Sequence, residues 1–360
     1  MKRNPVSVRM GTVAVLSAAF MLLVQSSAAA EGARSALKLC AYVLIPSLFP
    51  YMVISSLIVS FGCAEMLGCL LSPLCRLLHL PRDAAGAILL GALCGFPVGA
   101  KTACELYTDG RLTRTQTERL IAVANNTGPA FVIEVVGAHC WGSRGFGLTV
   151  YAVQILSALV IGAVYARVHK DPAEDSEACS APRRLLPPKD VLTRIAEAVS
   201  SAAFSVLTVC GFVVFFAVSL TLLARLFAEA SWILPPVASA AEFTSGVTYS
   251  AKIGGAFGAF LSGFSVGWSG ISVFAQCKVF TSPIGVRLAP AAICKALQGI
   301  ITGTAAALYF RFVYQPSASV STVLPVADSP MPFVLAEVEL LVLFCLLPTL
   351  FSRGRSSIAS

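Results

Sequence analysis

Polar and helix-breaking residues interrupt an otherwise apolar stretch at residues 86–129. The first interruption, with the two polar residues that follow it, consists of Gly95, Phe96, Pro97, Gly99, Lys101 and Thr102. Glycine and proline break the ladder of helical hydrogen bonds, and lipid cannot satisfy the backbone groups that are then left free. Because hydrocarbon disfavours a cation, Lys101 indicates a polar path or binding site inside a membrane. The chemistry that these residues could perform is therefore the binding of a polar solute.

A second interruption closes the same stretch. It consists of Asn125, Asn126, Thr127, Gly128 and Pro129. The asparagine side chains can donate to and accept from free backbone groups, Gly128 can adopt a left-handed conformation, and Pro129 can begin a new half-helix. Half-helix ends with amides between them are typical of binding sites in membrane transporters. The alternative is that the two asparagines only cap a helix.

A matching stretch lies in the second half of the chain. Its residues are Gly263, Phe264, Ser265 and Gly267, which align with the first interruption, and Ser269, which stands opposite Lys101. The alignment predicts a broken segment over residues 254–279, interrupted at 263–267, with no counterpart of residues 125–129. Paired interruptions in corresponding halves are the sequence feature that best indicates a transporter site. We therefore predict that all the residues named above line one substrate site.

The composition identifies the class of protein that must position these residues. Of the 360 residues, 57% are hydrophobic and 12% are charged, which leaves too little polar surface for an ordinary soluble domain. Apolar runs long enough to cross a hydrocarbon core of about 30 Å lie near residues 11–30, 36–61, 145–167, 202–227, 289–310 and 333–351. The net charge of +8 comes from basic residues scattered over helix ends and loops. This scatter excludes a nucleic-acid partner and indicates the cytoplasmic face of a membrane protein.

We predict an all-α polytopic membrane protein with two inverted-type repeats that contain re-entrant hairpins and broken helices. Its segments are an N-terminal transmembrane helix (1–35), a first membrane repeat (36–168), a flexible charged cytoplasmic linker (169–194), a second membrane repeat (195–315), and a C-terminal transmembrane helix with a tail (316–360). The first re-entrant hairpin covers residues 86–107. Residues 1–30 also fit a signal peptide, which is the alternative to an uncleaved first helix.

In these motifs, in residues 46–50 (Pro-Ser-Leu-Phe-Pro) and in residues 242–246, the chain resembles the YlbJ-type sporulation integral membrane proteins, which carry the nucleoside-recognition or Gate domain. The resemblance covers nearly the whole chain except the linker and the ends. It implies two Gate-type repeats in the outer forespore membrane, which move dipicolinate, a small pyridine dicarboxylate, toward the spore. Lys101 and Lys295 could supply cations for this dianion. The aromatic residues that could stack on its ring are Phe96, Phe264 and Trp268.

Other functions remain open at this point. One is a nucleoside or metal-ion carrier of the same architecture, although few acidic residues lie near the interruptions to bind a cation. Another is a sporulation membrane scaffold that uses the charged linker and transports nothing. An enzyme is disfavoured because the sequence has no Ser/His/Asp set and only three histidines, so we expect no catalytic residue, cofactor or metal. The expected partners are a small anion, the lipid bilayer, and further copies of the chain or other sporulation membrane proteins.

Overall fold

The computed structural model describes residues 5–61, 71–169, 190–226 and 232–314, and within these ranges every regular element is a helix. The helices of the first half are α1 (Pro5–Val24), α2 (Ser26–Leu39), α3 (Ile45–Ser60), α4 (Ser72–Leu77), α5 (Ala84–Leu93), α6 (Val98–Thr108), α7 (Arg114–Ala124) and α8 (Arg144–Val168), with π-helical segments at Cys40–Leu44 and Phe131–Cys140. Those of the second half are α9 (Val191–Leu226), α10 (Leu234–Ala241), α11 (Phe243–Ile253), α12 (Gly255–Trp268), α13 (Gly270–Thr281) and α14 (Ala289–Phe312). The all-α prediction is confirmed. Most of the predicted linker and the predicted C-terminal helix lie outside the described residues.

Several helical stretches are long and apolar enough to cross a membrane. Four of them are Arg144–Val168, Val191–Leu226, Gly255–Thr281 and Ala289–Phe312. A fifth candidate is the bent pair Val15–Val24 and Ser26–Tyr42, whose axes differ by 97°. Large apolar side chains on these helices point outward, as lipid contact requires; Leu156 and Phe204 are 62% and 63% exposed. The chain is a polytopic membrane protein, as predicted.

Helices α5 and α6 form a hairpin whose tip interrupts the helix at residues 94–97. Gly95 takes a positive φ of 79° there, and the peptide bond between Phe96 and Pro97 is cis. The two arms contact each other. They contain 10 and 11 residues, so each is about 16 Å long and neither can cross a hydrocarbon core of about 30 Å. These dimensions suit the predicted re-entrant hairpin.

The second predicted interruption is also observed. Helix α7 ends at Ala124, residues 125–128 are not helical, and the helix resumes at Pro129. The Asn126 side chain donates from Nδ2 to the Val123 carbonyl at 2.7 Å, which satisfies one carbonyl at the end of α7. This backbone is therefore broken at the place where proline and glycine predict a break.

The two interruptions of the first half pack against each other through glycine. A Cβ atom on Gly91 would lie 1.8 Å from the Ala124 carbonyl oxygen, and one on Gly99 would lie 2.1 Å from the same oxygen. At the hairpin tip, a Cβ atom on Gly95 would lie 2.7 Å from the Gly128 nitrogen. A side chain at any of these positions would overlap backbone atoms. The glycines therefore let the end of α7 lie directly on both arms of the hairpin.

Gly99→Ala is expected to destabilise the protein by roughly 1–3 kcal/mol, because the added methyl group overlaps a backbone carbonyl. Gly211→Ala in α9 is the matched control, since nothing lies within 4 Å of a Cβ atom at that position. The control is expected to be neutral or to stabilise by up to about 1 kcal/mol, because alanine favours helix over glycine. Thermal denaturation of the purified chain in detergent measures both changes. Equal melting temperatures for the two variants would contradict the close packing.

The same order of elements recurs in the second half. Helices α10 and α11 contact each other and are separated at Glu242. Helices α12 and α13 are separated at Ser269, whose φ is 73°. Each half thus contains a hairpin, an interrupted helix and then a long helix, α8 or α14. The inverted relation between the halves stays a prediction.

The predicted break at residues 263–267 is wrong. All four predicted site residues of that stretch lie inside α12, which continues to Trp268. A Cβ atom on Gly263 would lie 2.6 Å from the Thr302 carbonyl oxygen, and one on Gly267 would lie 2.8 Å from the Gln298 carbonyl oxygen. These glycines bring α14 close to α12, as small residues do between membrane helices. A helix tolerates such a glycine at a cost of about 1 kcal/mol, so the residue type alone does not break it.

The structure also supplies the counterpart that the sequence alignment lacks. By order in the chain, the break at Ser269 corresponds to residues 125–128, and the separation at Glu242 corresponds to the hairpin tip at residues 94–97. The sequence alignment was therefore displaced by one structural element. Both breaks of the second half lie at polar residues. Gly270 follows the break at Ser269, whereas no glycine lies within three residues of Glu242.

Candidate functional site

The two interrupted helices meet where their regular hydrogen bonding stops. The Thr127 hydroxyl group donates to the Val266 carbonyl at 3.1 Å, close to the break at Ser269. The hairpin tips meet as well, because the Phe96 and Phe243 rings lie edge to face with centroids 4.7 Å apart. The non-helical segments of the two halves therefore contact each other in the interior of the protein.

Lys295 of α14 places its side-chain amino group at this meeting point. The residue is 1% exposed, and its Nζ donates to Asn126 Oδ1 and to Gln298 Oε1, both at 2.8 Å. Gln298 Nε2 in turn donates to Asn126 Oδ1 at 3.0 Å and to the Gln154 backbone carbonyl at 2.7 Å. We call Lys295, Asn126, Gln298 and Gln154 the Lys295 cluster.

No carboxylate lies beside this amino group within the described part of the chain, where no Asp or Glu oxygen lies within 4.0 Å of Lys295 Nζ. Burying an ammonium group costs on the order of several kcal/mol, because the group loses its hydration. Hydrogen bonds to neutral amide oxygens offset only part of that cost. An ammonium group at this position would therefore be unbalanced, and a bound anion would offset its cost.

Helix α8 holds the interrupted segment in place. Gln154, which is fully buried, donates from Nε2 to the Thr127 carbonyl at 3.1 Å. The same residue accepts from Gln298 through its own backbone carbonyl. A long spanning helix thereby satisfies a carbonyl that lipid would leave without a donor. The position of Asn126 beside Lys295 depends on this support.

Lys101 has partners of its own and faces α3. Its Nζ donates to Ser56 Oγ at 3.0 Å and lies 3.7 Å from Glu105 Oε1, one helical turn along α6. The residue is buried, at 4% exposed. The Glu105 carboxylate balances its charge, whereas the charge of Lys295 has no such partner. The role of Lys101 in substrate binding stays a prediction.

Three other predicted site residues contact their own helix or neighbouring rings. Thr102 and Ser265 each donate a hydroxyl group to a carbonyl one turn earlier, at 2.9 and 2.8 Å. The Phe264 ring stacks with the rings of Phe260 and Trp268, with centroids 6.2 and 6.4 Å apart. These three residues lie outside the Lys295 cluster, and their part in binding stays a prediction.

Of the predicted site residues, Asn126 belongs to the Lys295 cluster and Thr127 adjoins it. Sequence reasoning missed Gln154 and Gln298, although it named Lys295 as a source of charge. A signal was available, because each glutamine is a polar amide within an apolar spanning helix. Such residues face the interior of a membrane protein and bind other polar groups there.

Further buried polar atoms lie near the breaks and have no hydrogen-bond partner among the described residues. They are Asn125 Oδ1, Gln154 Oε1, Ser269 Oγ, Ser272 Oγ, Gln276 Oε1 and Thr302 Oγ1. Such atoms are rare in folded proteins, because each one costs about 1–3 kcal/mol. They give the region where the two halves meet a capacity to bind a polar solute.

An ion pair joins the two halves near the start of α14. Glu118 of α7, whose side chain is 3% exposed, accepts from Arg287 Nε and Nη2 at 3.0 and 3.1 Å. Arg114 Nε donates to the same carboxylate at 3.2 Å. Arg287 lies just before α14, so this contact ties the first turns of α7 to the second half. It lies toward the end of the structure at which α14 begins.

Aromatic residues pack at the other end of α14. Trp141 stacks on Phe146 with ring centroids 5.0 Å apart and meets the edge of Phe310 at 5.6 Å. The Tyr314 hydroxyl group donates to the Trp141 carbonyl at 2.6 Å. Because α14 contains 24 residues, about 36 Å separate its two ends. The Lys295 cluster thus lies between an ion pair on one side and an aromatic cluster on the other.

The chain is similar to the protein of Bacillus subtilis (strain 168) described as "Sporulation integral membrane protein YlbJ". The two are 24% identical over 320 residues, which cover 79% of this chain and 78% of the relative. No protein-family model matches the chain, and no solved structure matches it. The resemblance indicated by the sequence motifs is confirmed: over most of its length, this chain is similar to a sporulation integral membrane protein of the YlbJ type.

Proposed function

We propose that this protein carries a small organic anion across a membrane during sporulation. The observation that carries the proposal is the buried ammonium group of Lys295, which amide oxygens surround and no described carboxylate balances. It lies where two interrupted helices meet, which is where membrane transporters place their binding sites. An anion bound here would gain an ion pair in surroundings of low dielectric constant, where such a pair is strong.

The ends of α14 suggest how such a site would be closed. The Glu118–Arg287 ion pair joins the halves on one side of Lys295, and the aromatic cluster around Trp141 packs on the other. A carrier needs a barrier on each side of its bound cargo, and each barrier must open separately. The two contacts have the positions that these barriers require.

Dipicolinate is the cargo, and the outer forespore membrane the location, that the resemblance implies. The chemistry of the Lys295 cluster supports an anionic cargo of this kind, because an ammonium group has three donors and Lys295 uses two of them within the cluster. The alternative cargoes from the sequence are a nucleoside and a metal ion, and the alternative to transport is a membrane scaffold. Among the residues that the structure describes, no group of three or more His, Cys, Asp or Glu side chains could hold a metal ion.

Uptake into proteoliposomes tests this proposal. The purified full-length chain is reconstituted, and the accumulation of labelled dipicolinate, uridine and ferrous iron is measured beside protein-free vesicles. We expect saturable, protein-dependent accumulation of dipicolinate that an excess of unlabelled dipicolinate blocks and an excess of uridine does not. Accumulation of uridine or ferrous iron alone, or equal dipicolinate uptake in both kinds of vesicle, would contradict the proposal.

A further inference from the structure

The start of helix α13 lies at a break in the interior of the protein. Helix α12 ends at Trp268, Ser269 and Gly270 take φ values of 73° and 86°, and α13 then continues for 12 residues. The first amide groups of a helix have no acceptor within the helix, and the helix dipole places partial positive charge there. No side chain caps this end. A helix end of the kind that attracts anions therefore lies in the interior of the protein.

Three buried side-chain oxygens at this helix end have no hydrogen-bond partner among the described residues. Ser269, Ser272 and Gln276 follow one another at spacings of three and four, so they share one face of the helix. They are 0%, 0% and 1% exposed, and the oxygens Ser269 Oγ, Ser272 Oγ and Gln276 Oε1 accept and donate nothing. Elsewhere a buried serine bonds its own helix, as Ser205 Oγ does by donating to the Ser201 carbonyl at 2.7 Å.

The sign of the charge at this site follows from the helix end. Neutral oxygens could bind a cation, but the N-terminus of a helix disfavours one and attracts an anion. The backbone of Glu242 lies against Gly270. The Glu242 carboxylate, however, already accepts from the Thr244 and Ser245 amides, at 3.0 and 2.8 Å, at the start of α11. Its charge is thus matched by another helix end, and the amides and hydroxyl groups at the start of α13 remain available to an oxyanion.

Lys295 lies at the depth of this helix end. Helices α12 and α14 run antiparallel, since Gly263 packs against Thr302 and Gly267 packs against Gln298. The spanning stretch of α12 and α13 continues past Ser269 without a sharp bend, so this register places Lys295 level with the first turn of α13. Lys295 and the start of α13 therefore lie at the same depth along the helix axes.

We propose that the start of α13 binds the oxyanion group of the transported solute, with the Ser269 and Ser272 hydroxyl groups and the first amides of the helix as donors. This inference rests on the proposed function and states where the negative group of the cargo lies. The chemistry is shared by carboxylate, phosphate and sulfate groups. The test must therefore separate these sources.

The melting temperature of the full-length chain in lipid nanodiscs measures this binding. Potassium dipicolinate, phosphate and sulfate are titrated against potassium chloride of equal ionic strength. We expect a saturable rise with at least one of the oxyanions, the one with the greatest effect identifying the group. Ser272→Ala is expected to weaken this binding about tenfold or more, because a hydrogen bond to a charged group is lost. Ser269→Gly, which tolerates the positive φ, is expected to do the same.

Two further variants control for folding. Ser205→Ala removes a buried hydroxyl group that bonds its own helix, and it is expected to leave the apparent affinity unchanged. Ser272→Thr keeps the hydroxyl group, and its oxyanion affinity is expected to lie within about threefold of that of the wild type. If Ser272 had only a packing role, the larger threonine side chain would change the affinity although the hydroxyl group is kept. The inference is overturned if no oxyanion raises the melting temperature, or if Ser272→Ala and Ser269→Gly bind as Ser205→Ala does.

The outcome also separates this inference from the proposed function. Oxyanion binding that Ser272→Ala weakens, without any uptake into proteoliposomes, would contradict the carrier and leave the site in place. Dipicolinate uptake with an unchanged apparent affinity in Ser272→Ala would contradict the site and leave the carrier in place.

Discussion

Lys295→Met is expected to lower anion uptake by about 10- to 100-fold without unfolding the protein. A hydrogen bond to a charged group contributes about 1.5–3 kcal/mol, which corresponds to this range of affinity. Methionine has a similar shape, and it removes the desolvation cost of a buried ammonium group, which offsets the loss of the donor to Gln298 Oε1. The Gln298 amide nitrogen also keeps its bonds to Asn126 and Gln154. Initial uptake rates and melting temperatures, measured on the same preparation, separate the two effects.

The controls for this prediction are two other lysines. Lys278, an exposed residue of α13, is expected to tolerate replacement by methionine with uptake within twofold of the wild type. Lys101→Met compares the second buried lysine, whose charge Glu105 already balances. Loss of uptake in Lys101→Met with normal uptake in Lys295→Met would move the binding cation to α6 and contradict our assignment.

Glu118→Gln is expected to raise the reactivity of the Cys294 thiol about fivefold. The variant removes the ionic contact that joins α7 to the residues before α14. Because the Arg287 side chain is 69% exposed, solvent screens the pair, and we expect its loss to shift an opening equilibrium only modestly, by a factor of about five. Cys294 lies in the nearby first turns of α14 and is 4% exposed. Maleimide labelling with peptide mapping by mass spectrometry measures its accessibility.

A matched pair at the opposite end serves as the control. Arg144 Nε lies 3.0 Å from Glu134 Oε1, and their side chains are 72% and 25% exposed. Glu134→Gln is expected to leave labelling of Cys294 unchanged. Arg287→Gln is expected to match Glu118→Gln, and the double variant to add little, since both remove the same contact. Additive effects of the two single variants would show that Glu118 and Arg287 act separately.

Local chemistry decides the features of this protein that could be predicted from its sequence. Long apolar runs predict spanning helices, because only internally hydrogen-bonded backbone is stable in lipid. The breaks at residues 94–97 and 125–128 follow from glycine and proline, which restrict the backbone of their own segment. Both were predicted at the correct places.

In the second half, residue types alone did not predict where the helix breaks. Gly263 and Gly267 resemble the glycines of the first break, yet they pack α14 against an unbroken helix. A glycine allows a break and allows a close approach equally well, so its neighbours in space decide which occurs. The break lies at Ser269 and Gly270 instead, both of which have a positive φ.

The Lys295 cluster could not be predicted from the sequence, because it joins residues that are far apart in the chain. Lys295 and Asn126 are 169 residues apart in the chain and come within 2.8 Å of each other. The amino-acid types show that each can bind a polar group, but not which group it binds. Glu105 lies one turn from Lys101, and Gln298 one turn from Lys295, so helical spacing alone places these partners. Only helix packing brings Ser56 to Lys101 and Asn126 to Lys295. Residue types determine what each segment can do alone, whereas contacts between distant segments exist only once the helices have packed.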